Sequence, residues 1–183
     1  MGKTFALPER LETEDIKALR RRLGMTQKEF AELMQVSKAT VVHWENSEKP
    51  LTGPVILAVK MLREMPNLVD DLSIPKQRMP LRLYYYYKDF LCTLIDVEDR
   101  TMRVQIKNYT KYVQYRAFGN NTEPTYEDYQ AFLESRCFPR SRDKVKLELA
   151  HLGLPFYDPL MIVEKTEGRM AEDDFRLIVE RRH

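Results

Sequence analysis

The sequence predicts an α+β protein in which an all-α unit of four to five helices precedes an α+β unit with a smaller sheet. Up to Met65, apolar residues recur three and four positions apart, as Ile16, Leu19 and Leu23 do, which is typical of helices packed on a core. After Pro75 the chain becomes rich in aromatic and β-branched residues, which favours antiparallel strands. Helical signals return in the last third of the chain.

The composition change predicts two domains and a linker. We place an all-α domain at residues 1–66, a linker at 67–75 and an α+β domain at 76–183. Pro66 and Pro75 bracket the joint, because the residue before each proline is disfavoured in a helix.

Composition narrows the class of protein. The chain is 43% hydrophobic and 32% charged, which is typical of a soluble globular protein. It has no run of about 18 apolar residues and no signal-peptide core, so we expect a cytoplasmic protein without membrane contact. Cys92 and Cys137 lie far apart without metal-ligand spacing, which is typical of a protein in a reducing compartment. No metal and no other cofactor is expected. The net charge of +2 does not itself indicate nucleic-acid binding.

Residues 26–46 contain two helix starts. Thr26 and Glu29 form a capping-box pattern, and Ser37 is a second N-cap eleven residues later. Residues 34–36 leave room for a tight turn only, so two short helices must cross closely, and the small Ala31 permits that approach. The pattern predicts a helix-turn-helix.

This segment resembles the XRE family, which includes the lambdoid phage repressors and Cro proteins. The resemblance rests on Thr26-Gln27, Ala31, Val36-Ser37 and Trp44-Glu45. Gln35 stands where the family usually has glycine, and a left-handed conformation there would cost about 1 kcal/mol.

Two further features follow from the resemblance. Gly53-Pro54, which opens a fourth helix, is similar to the HigA-like antitoxin branch. The family also implies a structural ion pair between Arg20 and Glu45.

The resemblance implies a DNA-binding surface of small and polar residues: Gln27, Ser37, Lys38, Ala39, Thr40, His43 and Lys49. Lys38 and His43 would reach base edges in the major groove, and Ala39 would meet a thymine methyl. Gln27, Thr40 and Lys49 would hold the phosphate backbone. The face formed by residues 38, 39, 40 and 43 has no carboxylate, which favours DNA binding; the alternative is a bundle that only dimerises.

In the second domain, strands are predicted within residues 83–87, 90–97, 102–109 and 112–118, with a turn at 99–101. Helices are predicted to start at Thr125 with Asp128 as capping partner, at Ser141, and after Asp158-Pro159, before a closing strand at 175–179. Strand alternation should place half of the four tyrosines at 84–87 in the core and half on a surface or interface.

The second domain also resembles a domain found beside HipA-like kinases. The similarity rests on Arg136, Pro139 and Ser141-Arg142, followed by Gly168 and Asp174-Phe175, and it implies a partner or toxin–antitoxin context. Arg136, Arg140 and Arg142 could clamp an anion or an acidic partner; they could equally form a structural network with Glu134 or Asp143.

The sequence as a whole predicts a DNA-binding transcriptional regulator, a repressor, that binds an operator in double-stranded DNA as a homodimer through a recognition helix at 37–46. No catalytic residues are predicted and no enzymatic activity is expected. The alternative is an antitoxin or inhibitor whose second domain neutralises a toxin or nuclease, with DNA autoregulation by the helix-turn-helix.

Overall fold

The computed structural model describes residues 2–65 and 67–182, so Met1, Pro66 and His183 lie outside the described residues. The chain divides into two compact units, the first ending at Ser73 and the second beginning at Ile74. A short helix occupies residues 68–72, within the segment predicted as a linker. Within the described residues, no helix is long and apolar enough to cross a membrane.

The first unit is all helical, and its elements are α1 (Thr13–Arg22), α2 (Gln27–Leu33), α3 (Lys38–Asn46), α4 (Pro54–Glu64) and α5 (Leu68–Leu72). Its core contains Ile16, Phe30, Val41 and Val59, all fully buried. These side chains come from α1 to α4, so burial of a shared apolar centre fixes the helix packing. A backbone bridge between Leu11 and Leu51 joins the segments before α1 and α4.

The second unit contains β1 (Leu81–Tyr87), β2 (Phe90–Glu98), β3 (Arg103–Asn108), α6 (Tyr126–Ser135), α7 (Val145–His151), α8 (Pro159–Thr166) and β4 (Phe175–Arg181). The strands form one antiparallel sheet in the order β3-β2-β1-β4. Side chains from α6, α7 and α8 join one face of this sheet in a single apolar core. The predicted α+β fold, with strands first and helices after them, is confirmed.

The four tyrosines of β1 alternate as predicted. Tyr85 is buried and stacks on Phe175, with ring centroids 4.9 Å apart, and Tyr87 packs against the same core. Tyr84 and Tyr86 are half-buried on the opposite face of the sheet. The alternation follows from the two-residue period of a strand.

Several predicted turns and caps of the second unit are confirmed. A 3₁₀ turn spans Asp99–Thr101 between β2 and β3. Thr125 and Asp128 form a full capping box at α6, and Asp158 caps α8 ahead of Pro159. These signals are local in sequence, which is why they could be predicted.

Two predictions in this unit are wrong. Residues 112–118 are not a strand but contain a 3₁₀ turn at Val113–Tyr115, because nearby side chains and carbonyls bond this segment instead of a neighbouring strand. The Ala117 N–H donates to Thr93 Oγ1 at 3.1 Å and Arg116 Nε donates to the Thr110 carbonyl at 2.9 Å. Ser141 does not open a helix either, since α7 begins after Lys144, whose φ of 64° interrupts the chain there.

Candidate nucleic-acid interface

The first helix of the motif, α2, begins with the predicted capping box. Thr26 Oγ1 accepts a hydrogen bond from the Glu29 N–H at 3.2 Å, and the Thr26 N–H donates to Glu29 Oε2 at 2.7 Å. The hydrogen bond from the Thr26 backbone lowers the pKa of Glu29. The reciprocal bonds fix where α2 starts, as the sequence predicted.

The turn between α2 and α3 is tight and left-handed. Gln35 has a φ of 54°, as predicted for the position that glycine usually occupies in the family. The Val36 N–H donates to the Ala31 carbonyl at 3.0 Å, and Gln35 Nε2 donates to the Glu32 carbonyl at 2.9 Å. Ala31 is only 3% exposed, so a larger side chain there would force α2 and α3 apart.

The second helix of the motif, α3, begins at its predicted cap. Ser37 Oγ accepts from the Thr40 N–H at 3.0 Å and lies 2.8 Å from Thr40 Oγ1. One side of α3 is buried through Val41 and Glu45. Lys38, Ala39 and His43 are exposed, whereas Thr40 is half-buried beside its cap.

An ion pair holds α3 against α1. Arg20 Nε and Nη2 donate to the two carboxylate oxygens of Glu45 at 2.6 and 3.0 Å, and Arg20 Nη1 donates to the Met25 carbonyl at 2.9 Å. The hydrogen bond from Arg20 holds the pKa of Glu45 below its ordinary value despite burial. The pair that the resemblance implied is therefore present and turns the Glu45 carboxylate inward.

Gln27 is tied to the same carboxylate. Its Nε2 atom donates to Glu45 Oε2 at 2.9 Å, so one amide proton is directed into the protein rather than towards a phosphate. A carboxamide nitrogen carries two protons, which leaves the second for an external acceptor. Gln27 thus links α2 to the Arg20–Glu45 pair as well as lying on the predicted surface.

Lys49 is exposed in the loop after α3. Its backbone N–H donates to Ser47 Oγ at 3.1 Å, and the Ser47 carbonyl accepts from Thr13 Oγ1 at 2.8 Å. The loop is thereby anchored to the start of α1, while the Lys49 side chain remains in solvent.

Two residues of the outward face of α3 were missed by sequence reasoning. Val42 is half-buried and Asn46 is exposed, three and seven positions after Ala39. This spacing places them on the same side of the helix as Ala39. Asn46 Nδ2 donates to the Val42 carbonyl at 2.9 Å, so this nitrogen bonds within the helix. The helical period from Ala39 could have found both.

The three arginines proposed as a clamp in the second unit differ in their surroundings. Arg136 is 7% exposed; its guanidinium donates to the Gly168 carbonyl and makes a bidentate pair with Asp173, with bonds of 2.6 and 3.0 Å. Arg140 is exposed and donates to Glu134 at 2.8 Å, and exposed Arg142 lies 3.7 Å from Glu148. The anion-clamp interpretation is wrong for Arg136, because its donors are used inside the fold. Of the two structural partners that the sequence offered, Glu134 pairs with Arg140, whereas Arg136 pairs with Asp173 and Arg142 lies near Glu148.

Residues 16–59 match the family model described as Helix-turn-helix, of the XRE type. The match runs from α1 into α4 and includes α2, the turn and α3. Searches of curated proteins and of solved structures gave no match. The match supports a DNA-binding transcription regulator.

Proposed function

We propose that this protein is a repressor that binds an operator as a dimer, with α3 of each subunit in the major groove. The observation that carries the proposal is the outward face of α3. It presents Lys38 and His43 in solvent, and the one carboxylate of the helix, Glu45, is buried on Arg20. A phosphate-lined groove accepts such a face, since an exposed carboxylate would be repelled there.

Base reading is assigned to the exposed side chains of α3. The Lys38 ammonium suits the O6 and N7 acceptors of guanine, and the His43 imidazole suits an acceptor edge about a turn and a half further along. Ala39 and Val42 supply apolar contact for a thymine methyl. The Asn46 carboxamide, at the end of the same face, suits a base edge or a phosphate.

Phosphate contacts are assigned to residues at the margins of the motif. Lys49 is exposed and follows α3, Thr40 is half-buried at its first turn, and Gln27 keeps one amide proton for an external acceptor. These contacts hold the register of α3 without reading sequence.

The dimer follows from the small size of the motif. One such module buries too little surface for tight specific binding, and a two-fold dimer would place two recognition helices about 34 Å apart to meet successive major grooves. The expected operator is therefore an inverted repeat, and its occupation would exclude polymerase. Light scattering that shows a monomer at micromolar concentration, both free and on DNA, would rule out the dimer.

The test of base reading starts with sequencing the DNA fragments retained by the purified full-length protein. Binding of the recovered operator and of a scrambled duplex is then titrated for Lys38→Ala and His43→Ala. Each variant should lose about 1–3 kcal/mol on the operator and less on scrambled DNA. Lys60→Ala is the matched control, because Lys60 lies on α4 and pairs with Glu64.

If Lys38→Ala and His43→Ala both leave the operator-to-scrambled affinity ratio unchanged, α3 does not read sequence. The first unit would then be a dimerisation module, and the proposal would fall.

A second candidate function, neutralisation of a toxin or effector protein by the second unit, is favoured by the sheet face opposite the helices. Tyr84 and Tyr86 are half-buried there, and Ile178, the β4 partner of Tyr84, is 39% exposed. Aromatic residues on an accessible sheet face are typical of protein interfaces. Ile178→Lys should abolish binding of a partner protein that co-purifies with the unaltered chain, and it should leave operator affinity unchanged. If the variant still co-purifies with the partner, this second candidate function is wrong.

A further inference from the structure

The outer face of α4 is apolar although it lies in solvent. Leu57, Met61 and Met65 are 50%, 41% and 47% exposed. They are four positions apart, so they lie on one face of the helix. Val55 and Val59 are buried on the other side of α4, in the core of the first unit. A surface helix normally presents polar residues outward, so the α4 strip, formed by Leu57, Met61 and Met65, departs from that pattern.

The α4 strip differs from an isolated exposed apolar residue. Leu147 of α7 is 51% exposed, as much as Leu57, but Asp143 and His151 stand four positions before and after it. Single exposed apolar side chains are common on protein surfaces, whereas a continuous row of them marks an interaction site. Leu147 therefore needs no partner, and the α4 strip does.

Two opposite charges border the strip on one side. Lys60 precedes Met61 by one position and Glu64 follows it by three, which places both on the same side of the strip. Their side chains are 39% and 62% exposed, and Lys60 Nζ donates to Glu64 Oε1. The remaining charge of α4, Arg63, bonds to Asp15 of α1 and so lies away from the strip.

These charges match a second, antiparallel copy of the same helix. A two-fold axis through Met61, the middle of the strip, would set Leu57 of each copy against Met65 of the other. Lys60 of one copy and Glu64 of the other would then lie about 3 Å apart along the helix axis, because a helix rises about 1.5 Å per residue. A parallel pair would instead set Lys60 against Lys60 and Glu64 against Glu64. The charged row is therefore complementary to its own reversed copy.

We propose that the α4 strip is the surface through which two copies of this chain dimerise, with their α4 helices antiparallel. The inference rests on the dimer proposed above and names its interface. Burial of the apolar strip supplies the affinity, and the bordering charges select the antiparallel orientation. None of the predicted DNA-contacting residues belongs to α4, so this dimer leaves both α3 helices free for DNA.

The first test is sedimentation equilibrium of the full-length chain, without DNA, across micromolar concentrations. Leu57→Lys should raise the dimer dissociation constant by at least about tenfold, because it places a charge in the apolar centre of the interface. Leu147→Lys is the matched control, since it makes the same change at an equally exposed leucine, and it should leave the constant unchanged. Far-UV circular dichroism should show the same helix content in both variants, because both leucines are exposed.

The second test reverses the bordering charges. Lys60→Glu gives each copy two carboxylates beside the strip, and Glu64→Lys gives each copy two ammonium groups, so each variant alone should dimerise more weakly than the unaltered chain. An equimolar mixture of the two should regain the mass of a dimer, since the acidic row of one copy then meets the basic row of the other. The repulsion within each helix is unchanged by mixing, so only pairing between copies can produce this recovery. Lys60→Ala brings no like charges together and should leave the dimer intact.

Three outcomes would overturn the interface, and they separate it from the repressor function. If Leu57→Lys dimerises as tightly as Leu147→Lys, the dimer stands but the α4 strip is not its interface. If the charge-reversed variants dimerise normally alone, or stay monomeric when mixed, the antiparallel pairing is wrong. If the unaltered chain is a monomer without DNA, this interface is wrong, and the dimer of the repressor falls with it only if the chain is also a monomer on DNA.

Discussion

Each unit contains a bidentate arginine–carboxylate pair that ties distant segments together, yet the two pairs differ in which partner is buried. Arg20 and Glu45 join α1 to α3, and Arg136 and Asp173 join the end of α6 to the segment before β4. The Glu45 side chain is 3% exposed, whereas that of Asp173 is 29% exposed. In the first unit the carboxylate is the deeper group, and in the second the guanidinium is.

The difference in burial indicates what each ion pair contributes. Burying Glu45 removes the only carboxylate of α3 from the outward face. The first pair therefore joins two helices and also keeps negative charge off the outward face of α3. Arg136 donates to the Gly168 carbonyl and to Asp173, so the second pair fixes a turn, and only its carboxylate is partly exposed. Removing the arginine should therefore leave a buried, unpaired carboxylate in the first unit and a solvent-accessible carboxylate in the second.

The largest expected effect is on Arg20→Ala. Glu45 would be left buried with Gln27 as its remaining side-chain donor, and the free energy of unfolding of the first unit should fall by about 3–5 kcal/mol. Trp44 of α3 is the only tryptophan of the chain, so its fluorescence during urea unfolding follows this unit within the full-length protein.

Arg21→Ala is the matched control for this variant. Arg21 is the next residue of α1 and is exposed, so its removal should change the free energy of unfolding by less than about 0.5 kcal/mol. Equal effects of the two substitutions would show that the Arg20–Glu45 pair contributes no more than an exposed charge.

A smaller loss is expected for Arg136→Ala, about 2–3 kcal/mol. The variant would leave the Gly168 carbonyl without its donors, but Asp173 can be hydrated where it stands. Hydrogen exchange over residues 175–181, the strand that follows Asp173, would report the change as faster opening. Arg142→Ala removes an exposed pair with Glu148 and should cost less than about 1 kcal/mol. A loss for Arg136→Ala as small as that of Arg142→Ala would contradict the buried network.

Lowering the pH into the acid range should reduce the stability of both units. Hydrogen bonds from Arg20 and Arg136 lower the pKa values of Glu45 and Asp173 in the folded state. A carboxyl group with a lowered folded pKa adds stability that is complete above its unfolded pKa, about 4.3 for Glu and 3.9 for Asp, and is lost as pH falls through the folded value. When the pH is lowered below about 5, the urea midpoint followed by Trp44 fluorescence should decrease. In Arg20→Ala the urea midpoint should decrease less over the same pH range. If the urea midpoint of Arg20→Ala has the same pH dependence as that of the unaltered protein, Glu45 is not the source of this pH dependence.

The first unit could be predicted from sequence because its signals are local. Thr26 with Glu29, Ser37 three residues before Thr40, and the turn at Gln35 each lie within a few positions of the groups they bond. The ion pair spans 25 residues, and only the family resemblance indicated it. What remained hidden was the bond of Gln27 to Glu45, because it depends on how α2 and α3 cross.

The second unit was less predictable because its decisive contacts are distant in sequence. Arg136 and Asp173 are 37 residues apart, whereas the sequence offered nearer partners in Glu134 and Asp143. Residues 112–118 have strand-forming composition, but bonds such as that from Ala117 to Thr93 Oγ1 leave them outside the sheet.

The smallest expected effect is on the salt dependence of DNA affinity, and it tests which of the two units contacts DNA. Lys49 is exposed beside α3 and is proposed to neutralise one phosphate, so Lys49→Ala should weaken operator and scrambled DNA alike. The slope of log affinity against log salt concentration should become shallower by about one unit, because one fewer counterion is released on binding. Arg142→Ala removes an equally exposed cation from the second unit and should leave the slope unchanged, since the proposed interface lies in the first unit. Titrations of the full-length variants at several salt concentrations measure both slopes. If Arg142→Ala reduces the slope as much as Lys49→Ala does, the second unit also contacts phosphates, and the assignment of DNA binding to the first unit alone is wrong.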